Sequence, residues 1–279
     1  METFEFKLEG PIFEEGIPIH LVIKAWENFQ AIIDKTYLVA TESHRLSQKD
    51  REIYYLRAKE FKRGSFLTNF EIYLGGVQLA LPMVGVLGPQ NIWDFTKESF
   101  NFLKLICENQ KKEEGSKIEI IDSHNVSVLT GDTHNHFHGP VIQIAEKSLP
   151  KYQDLAHMLE EGKIESISAG SQDNPEMFLK LEDYQLFDFP KVPDDKPQDL
   201  SCEIFDFNKF RNIGKMRVST GQIIPKGDYS FSISGSQDNV NYIYSMLKPL
   251  VKVTCLIERV KSPIGDEQIS HIYVLGLSS

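Results

Sequence analysis

The stretch FPKVPDDKPQD, residues 189–199, carries Pro190, Pro193 and Pro197 among five charged residues. Proline has no amide proton for a helix interior or a central strand, and solvated charge opposes burial. Neither kind of element is expected to run through such a stretch, so it reads as the boundary of two domains. Two domains also suit a length of 279 residues, at which single cores stop growing efficiently. The sequence therefore predicts an N-terminal domain over 1–190, a linker over 191–200 and a C-terminal domain over 201–279. Asp194 and Asp195 within the linker read as solvated loop charges rather than a paired-carboxylate site.

The C-terminal segment is strand-rich. Strands are expected at 202–210, 214–220, 227–234, 250–260 and 268–277, around one short helix at 239–248 (NVNYIYSMLK). Five strands are too few for a sandwich and suit a small five-stranded β-barrel, whose closure also hides sheet edges.

The first 190 residues mix periods. Phe4, Phe6 and Leu8 alternate with charged residues and predict a strand, and Gly16-Ile17-Pro18 marks a helix start. From Leu21 to Tyr37 apolar residues recur at three- and four-residue steps, the mark of a long amphipathic helix. Residues 52–74 read as a hairpin turning at KRGS, and 90–109 as a second helix. Two short strands, KIEIID and NVSVLT, follow. Helical spacing returns over 141–161 with a break expected at Pro150, and a strand is expected in EMFLKLEDYQLFDF. The fold class is α+β: an N-terminal α/β sandwich-like domain followed by a small C-terminal β-barrel. The pentapeptide GSQDN occurs at 170–174 and again at 235–239. Its flanks differ, so it reads as turn and helix-capping chemistry used twice rather than as a repeat.

No apolar run approaches the roughly 20 residues of a membrane helix, which predicts no membrane partner and a cytoplasmic location. Cys107, Cys202 and Cys255 are far apart and form no C-x-x-C pair, so neither a disulfide framework nor a zinc ribbon is indicated. They read as core residues, and the apolar settings of Cys107 and Cys255 should raise a thiol pKa. The net charge of −10 opposes unaided nucleic-acid binding. It is uneven: residues 201–279 hold nine Lys+Arg against seven Asp+Glu, leaving 21 against 33 for residues 1–200.

Two segments invite chemistry. GDTHNHFHGP places His134, His136 and His138 at alternate positions, where neighbouring imidazoles on a strand could share a divalent metal. Four strand steps separate His134 from His138 by about 13 Å, so only an adjacent pair can serve one ion. Gln143 stands where a carboxylate ligand is needed, and Glu146 comes late. The segment reads as an exposed turn or strand end, with no resident cofactor. In the barrel, Lys209, Arg211, Lys215 and Arg217 form the densest basic run, beside Phe205, Phe207 and Phe210. Together they offer a surface for nucleic acid or a protein partner, although alternating aromatics in a strand more often face the core. No phosphate loop, dinucleotide turn or nucleophile elbow occurs, which argues against an enzyme.

The order of elements resembles a family of uncharacterised bacterial proteins. The resemblance rests on a helix opening at Ile17-Pro18, a hairpin with Lys62-Arg63-Gly64-Ser65-Phe66, and a Gly131-Asp132-Thr133-His134-Asn135 turn. It implies an α/β domain followed by a five-stranded barrel, genes near mobile elements or phage defence, and no catalytic residues to carry over. The expectation is a non-enzymatic binding or assembly component, as a homo-oligomer or with a protein partner. The rivals are a metal-dependent enzyme built on His134, His136 or His138, and nucleic-acid binding through the barrel.

Overall fold

The computed structural model describes residues 3–62, 66–75, 79–81, 85–111, 117–122, 125–130, 133–171, 174–260 and 268–278. Gly64 and Ser65 of the hairpin turn, and Gly131 and Asp132 of the histidine segment, lie outside them. Contacts divide the chain into two units, Met1–Asp188 and Phe189–Ser279.

The first unit opens with β1 (Thr3–Glu9), α1 (Ile19–Ala40) and α2 (Gln48–Ile53). The hairpin β2 (Tyr54–Lys62) and β3 (Phe66–Leu74) follows, then β4 (Leu79–Leu81), β5 (Gly85–Leu87) and α3 (Pro89–Lys111). The order continues with β6 (Lys117–Asp122), β7 (Asn125–Thr130), β8 (Thr133–His138), α4 (Gly139–Ala156), β9 (Ser166–Ser171) and β10 (Asn174–Lys180). Strands β10-β9-β1-β3-β2 form an antiparallel sheet. The alternation of Phe4, Phe6 and Leu8 turns all three toward the helices. Phe29 of α1 lies 4.6 Å from Phe6, and Trp93 of α3 stacks on Phe4 at 4.4 Å. The helices are bound to one another by a buried polar chain. Thr36 meets Thr96 at 2.8 Å, and the Tyr152 hydroxyl donates to the Thr96 carbonyl at 3.3 Å.

Two expectations change here. Pro150 does not break α4, which runs through it. Burial of Ile144, Leu149 and Tyr152 on one face holds the helix despite the missing proton. The strand expected in 176–189 ends at Lys180, where Leu181–Asp183 form a 3-10 turn closed by the Asp183 carboxylate accepting from Lys180 N at 3.1 Å. The three histidines lie on a strand, Thr133–His138, at the edge of the sheet β6-β7-β8, with His136 opposite Ser127.

The second unit comprises β11 (Lys191–Pro193), β12 (Gln198–Asn208), β13 (Ile213–Val218), β14 (Gly227–Ile233), α5 (Asn239–Ser245), β15 (Val251–Val260) and β16 (Gln268–Ser278). The sheet β15-β12-β13-β14-β16 closes on itself because β16 also pairs β15. A five-stranded barrel results, with β14 and β16 parallel. Its strands follow a 1-2-3-5-4-1 order with α5 between the third and fourth, the connectivity of the OB class of small Greek-key barrels. Cys202, Met216, Phe231, Val253, Cys255 and Ile272 fill the interior with no exposed surface. The segment read as a linker is partly sheet: β11 pairs β15, Asp194 N donates to the Ile257 carbonyl at 2.8 Å, and β12 begins at Gln198, with a short connection between them. Pro193 sits where an edge strand tolerates it, and Pro197 in the connection.

A bulge sets which aromatic enters the barrel. Pairing of β12 with β13 slips between Ile204 and Asp206, leaving Phe205 as the extra residue. The phase shifts by one, so Phe207 packs on Phe231 and Tyr242 while Phe205 stays outside. Gly214 accommodates the bulge: a Cβ there would lie 2.3 Å from the Asp206 carbonyl oxygen.

Candidate binding surface

Helix α5 is short, and its rotation is fixed by what lies beneath it. The Asp238 carboxylate caps it, accepting from Val240 N at 2.9 Å. Tyr242 is buried against Phe207, and its hydroxyl donates to Gln237 Oε1 at 2.5 Å. Gln237 in turn donates to the carbonyls of Ser234 and Val274. Ser245 is buried on the same side. With Tyr242 and Ser245 inward, the other face must point to solvent. That face is apolar: Val240, Ile243 and Tyr244, at i, i+3 and i+4, are 48, 41 and 62% exposed, and Leu247 in the turn that follows the helix is 82% exposed. Met246 and Leu250 extend it.

The β12–β13 turn is tied to the start of this helix. Asn239 donates to the Lys209 carbonyl and to Asn212 Oδ1, both at 2.9 Å. Asn208 Oδ1 accepts from the amides of Phe210 and Arg211, and Asn212 takes the left-handed conformation that asparagine tolerates. This tight turn projects Phe210 outward, 87% exposed, with the Lys209 ammonium 5.2 Å from its ring centre.

The four basic residues of the expected site separate into two kinds. Arg217 is committed: it donates to both oxygens of Asp228, at 2.7 and 3.1 Å, lies 3.9 Å from Glu203 and covers Phe205. Hydrogen bonding from Arg217 holds the Asp228 carboxyl below the usual carboxylate range. Lys215 stands opposite Asp206 in register. Lys209 and Arg211 sit instead at the turn, beside Phe210. The outer strand face is thus balanced in charge, and the turn tip carries two cations next to a ring 87% exposed.

Sequence reasoning missed a polar cluster on the barrel's outer face. His271 Nε2 lies 2.9 Å from Ser232 Oγ, and Glu258 is the cross-strand partner of His271. A serine–histidine pair invites a nucleophile reading. Yet Ser270 and the Tyr273 hydroxyl occupy both Glu258 oxygens, so the carboxylate does not orient the imidazole. Burial lowers the His271 pKa, opposed by the Glu258 charge. Burial pushes the Cys202 thiol to about 12 and the Cys255 thiol to about 11, away from the range of a thiolate nucleophile.

In the first unit a cavity of about 270 Å³ is lined by Phe4, Trp93 and Glu176, among others. Both Glu176 oxygens are taken, by Trp93 Nε1 at 2.6 Å and Lys97 Nζ at 2.8 Å. Its hydrogen bond raises Lys97 to about 12. This is a structural ion pair joining α3 to β10. The side chains of His134, His136 and His138 lie outside the described residues. Among the described residues no group of three or more His, Cys, Asp or Glu could hold a metal ion, and no helix is long and apolar enough to cross a membrane.

What the barrel offers a ligand is therefore an apolar helix face, an aromatic turn tip and two cations at its rim. No family model matches the chain, and neither a curated protein nor a solved structure matches it.

Proposed function

We propose that the chain is a non-enzymatic binding component that docks to protein through α5 of its C-terminal barrel. The supporting observation is the stripe Val240, Ile243 and Tyr244 on a helix whose phase is locked from below, continued by Leu247 in the following turn, all facing solvent. A contiguous exposed apolar patch is a recognition feature, because removing it from water supplies association energy that scattered apolar residues do not. Tyr244 and Phe210 are large, stiff anchors of the kind that dominate interfaces. Lys209 and Arg211 lie at the edge, where charge steers approach more than it adds affinity. The family resemblance would place such a component in a phage-defence or mobile-element assembly.

A second reading is favoured by one feature, Phe210 between Lys209 and Arg211 on an OB-type barrel. A ring flanked by cations can stack a base, and such barrels bind oligonucleotides. The balanced charges around Arg217 weigh against it, since nucleic-acid affinity follows unpaired cations.

A photo-crosslinking residue at position 244 in living cells tests the reading, with position 203 on the outer strand face as control. Protein adducts at 244 that vanish with Leu247→Asp are expected. Nucleic-acid adducts lost on replacing Lys209 and Arg211 would promote the second reading. No adduct at 244 would overturn the first.

A further inference from the structure

The α5 face has the size and charge pattern of a surface that pairs with itself. Its exposed apolar residues with Phe210 and Ile213 are 38–87% exposed and together present on the order of several hundred Å². That approaches the ~800 Å² each partner contributes to a standard interface and is large beside the patch a typical monomer shows. Residues 239–247, NVNYIYSML, contain no charged side chain, so a second copy meets no like charge at the centre. The ends are opposite: Asp238 precedes the helix and Lys248 follows it. Two α5 helices laid antiparallel bring each Asp238 to the other copy's Lys248, and the stripe closes on its own image.

We infer that the occupant of this face is a second copy of the chain, bound across a two-fold axis that passes near Ile243 and Tyr244. The contact is isologous, so the assembly closes as a dimer and does not propagate. This rests on the docking reading above and adds the identity of the partner. Val240 and Leu247 flank the axis, each covering the other in the opposite copy. Phe210 and Ile213 extend the contact outward, and Lys209 and Arg211 stay at its rim in water.

Sedimentation of the full chain over a hundredfold concentration range tests the inference, with three variants. The parent chain should rise toward twice its monomer mass. Leu247→Asp with Tyr244→Asp should lose association by more than about tenfold, the scale of a lost hot spot, with an unchanged circular dichroism spectrum. Ile243→Cys should form an intermolecular disulfide on mild oxidation, because a residue at a two-fold axis meets itself. The native Cys107, Cys202 and Cys255 are buried and do not compete. A dimer indifferent to the double substitution, or one in which Ile243→Cys does not crosslink, overturns the inference. A strictly monomeric parent overturns it too. Protein adducts at position 244 would then keep the docking reading, and their absence would remove both.

Discussion

The helices of the two units share one spacing and meet opposite fates. In α1, Ala25, Phe29, Ile32 and Ile33 have no exposed surface, and the sheet and the other helices cover them. In α5 the same three- and four-residue recurrence leaves Val240, Ile243 and Tyr244 exposed, with Leu247 just beyond it 82% exposed, while the two polar-tipped residues Tyr242 and Ser245 face inward. Periodicity says that a helix has two faces; only the surroundings decide which is dry. In the barrel the decision falls to Tyr242, whose ring completes the stack on Phe207 and whose hydroxyl reaches Gln237. The helix buries tyrosine and serine and leaves valine and isoleucine in water.

The contrast can be broken at its two cores first. Phe29→Ala and Phe231→Ala should each cost about 3–5 kcal/mol, the scale of a truncated core aromatic. Each should lower the unfolding transition of its own unit, read by hydrogen exchange in peptides from both. Equal loss of protection in both units from either change would deny the division at Asp188 and Phe189. Next in size, Gly214→Ala drives a Cβ into the bulge at Asp206 and the Phe231 ring, and about 1–3 kcal/mol of barrel stability should be lost by thermal denaturation.

Protonation sharpens the comparison at smaller amplitude. Folding lowers the His271 pKa, so the unfolded chain takes up the proton first and barrel stability falls as pH drops below about 6.5. Hydrogen bonds from Ser270 and Tyr273 lower the Glu258 pKa, and that contribution is lost below about 4.5. The barrel melting temperature should fall in two steps on acidification, and His271→Gln should flatten the upper one. The smallest effect on stability belongs to the outer stripe: Leu247→Asp should shift the barrel by no more than about 0.5 kcal/mol, as exposed positions do.

Much of the fold is legible without coordinates. The alternation in Phe4, Phe6 and Leu8, the long stripe of α1 and the five strand candidates after residue 200 all translate directly, because burial of one face dictates their periods. The misreadings share a cause. Pro150 and Pro193 are local signals outvoted by packing, through buried neighbours on α4 and through an edge position beside β15. The Phe205 bulge, which sends Phe207 inward, has no signature in composition. The candidate site was half visible: Lys209, Arg211 and Phe210 stand out as a cluster. Arg217 looks equivalent in sequence, yet Asp228, eleven residues on, neutralises it. The α5 stripe was invisible as a site because identical spacing normally means core.

The central claim is that the barrel acts through the dry-side-out face of α5. Hydrogen exchange measured at low and high concentration of the intact chain tests it most directly. Protection should rise with concentration in peptides covering 239–250 and 209–213, and Leu247→Asp with Tyr244→Asp should remove the rise. Protection that grows elsewhere, or does not change in either peptide at any concentration, would contradict it.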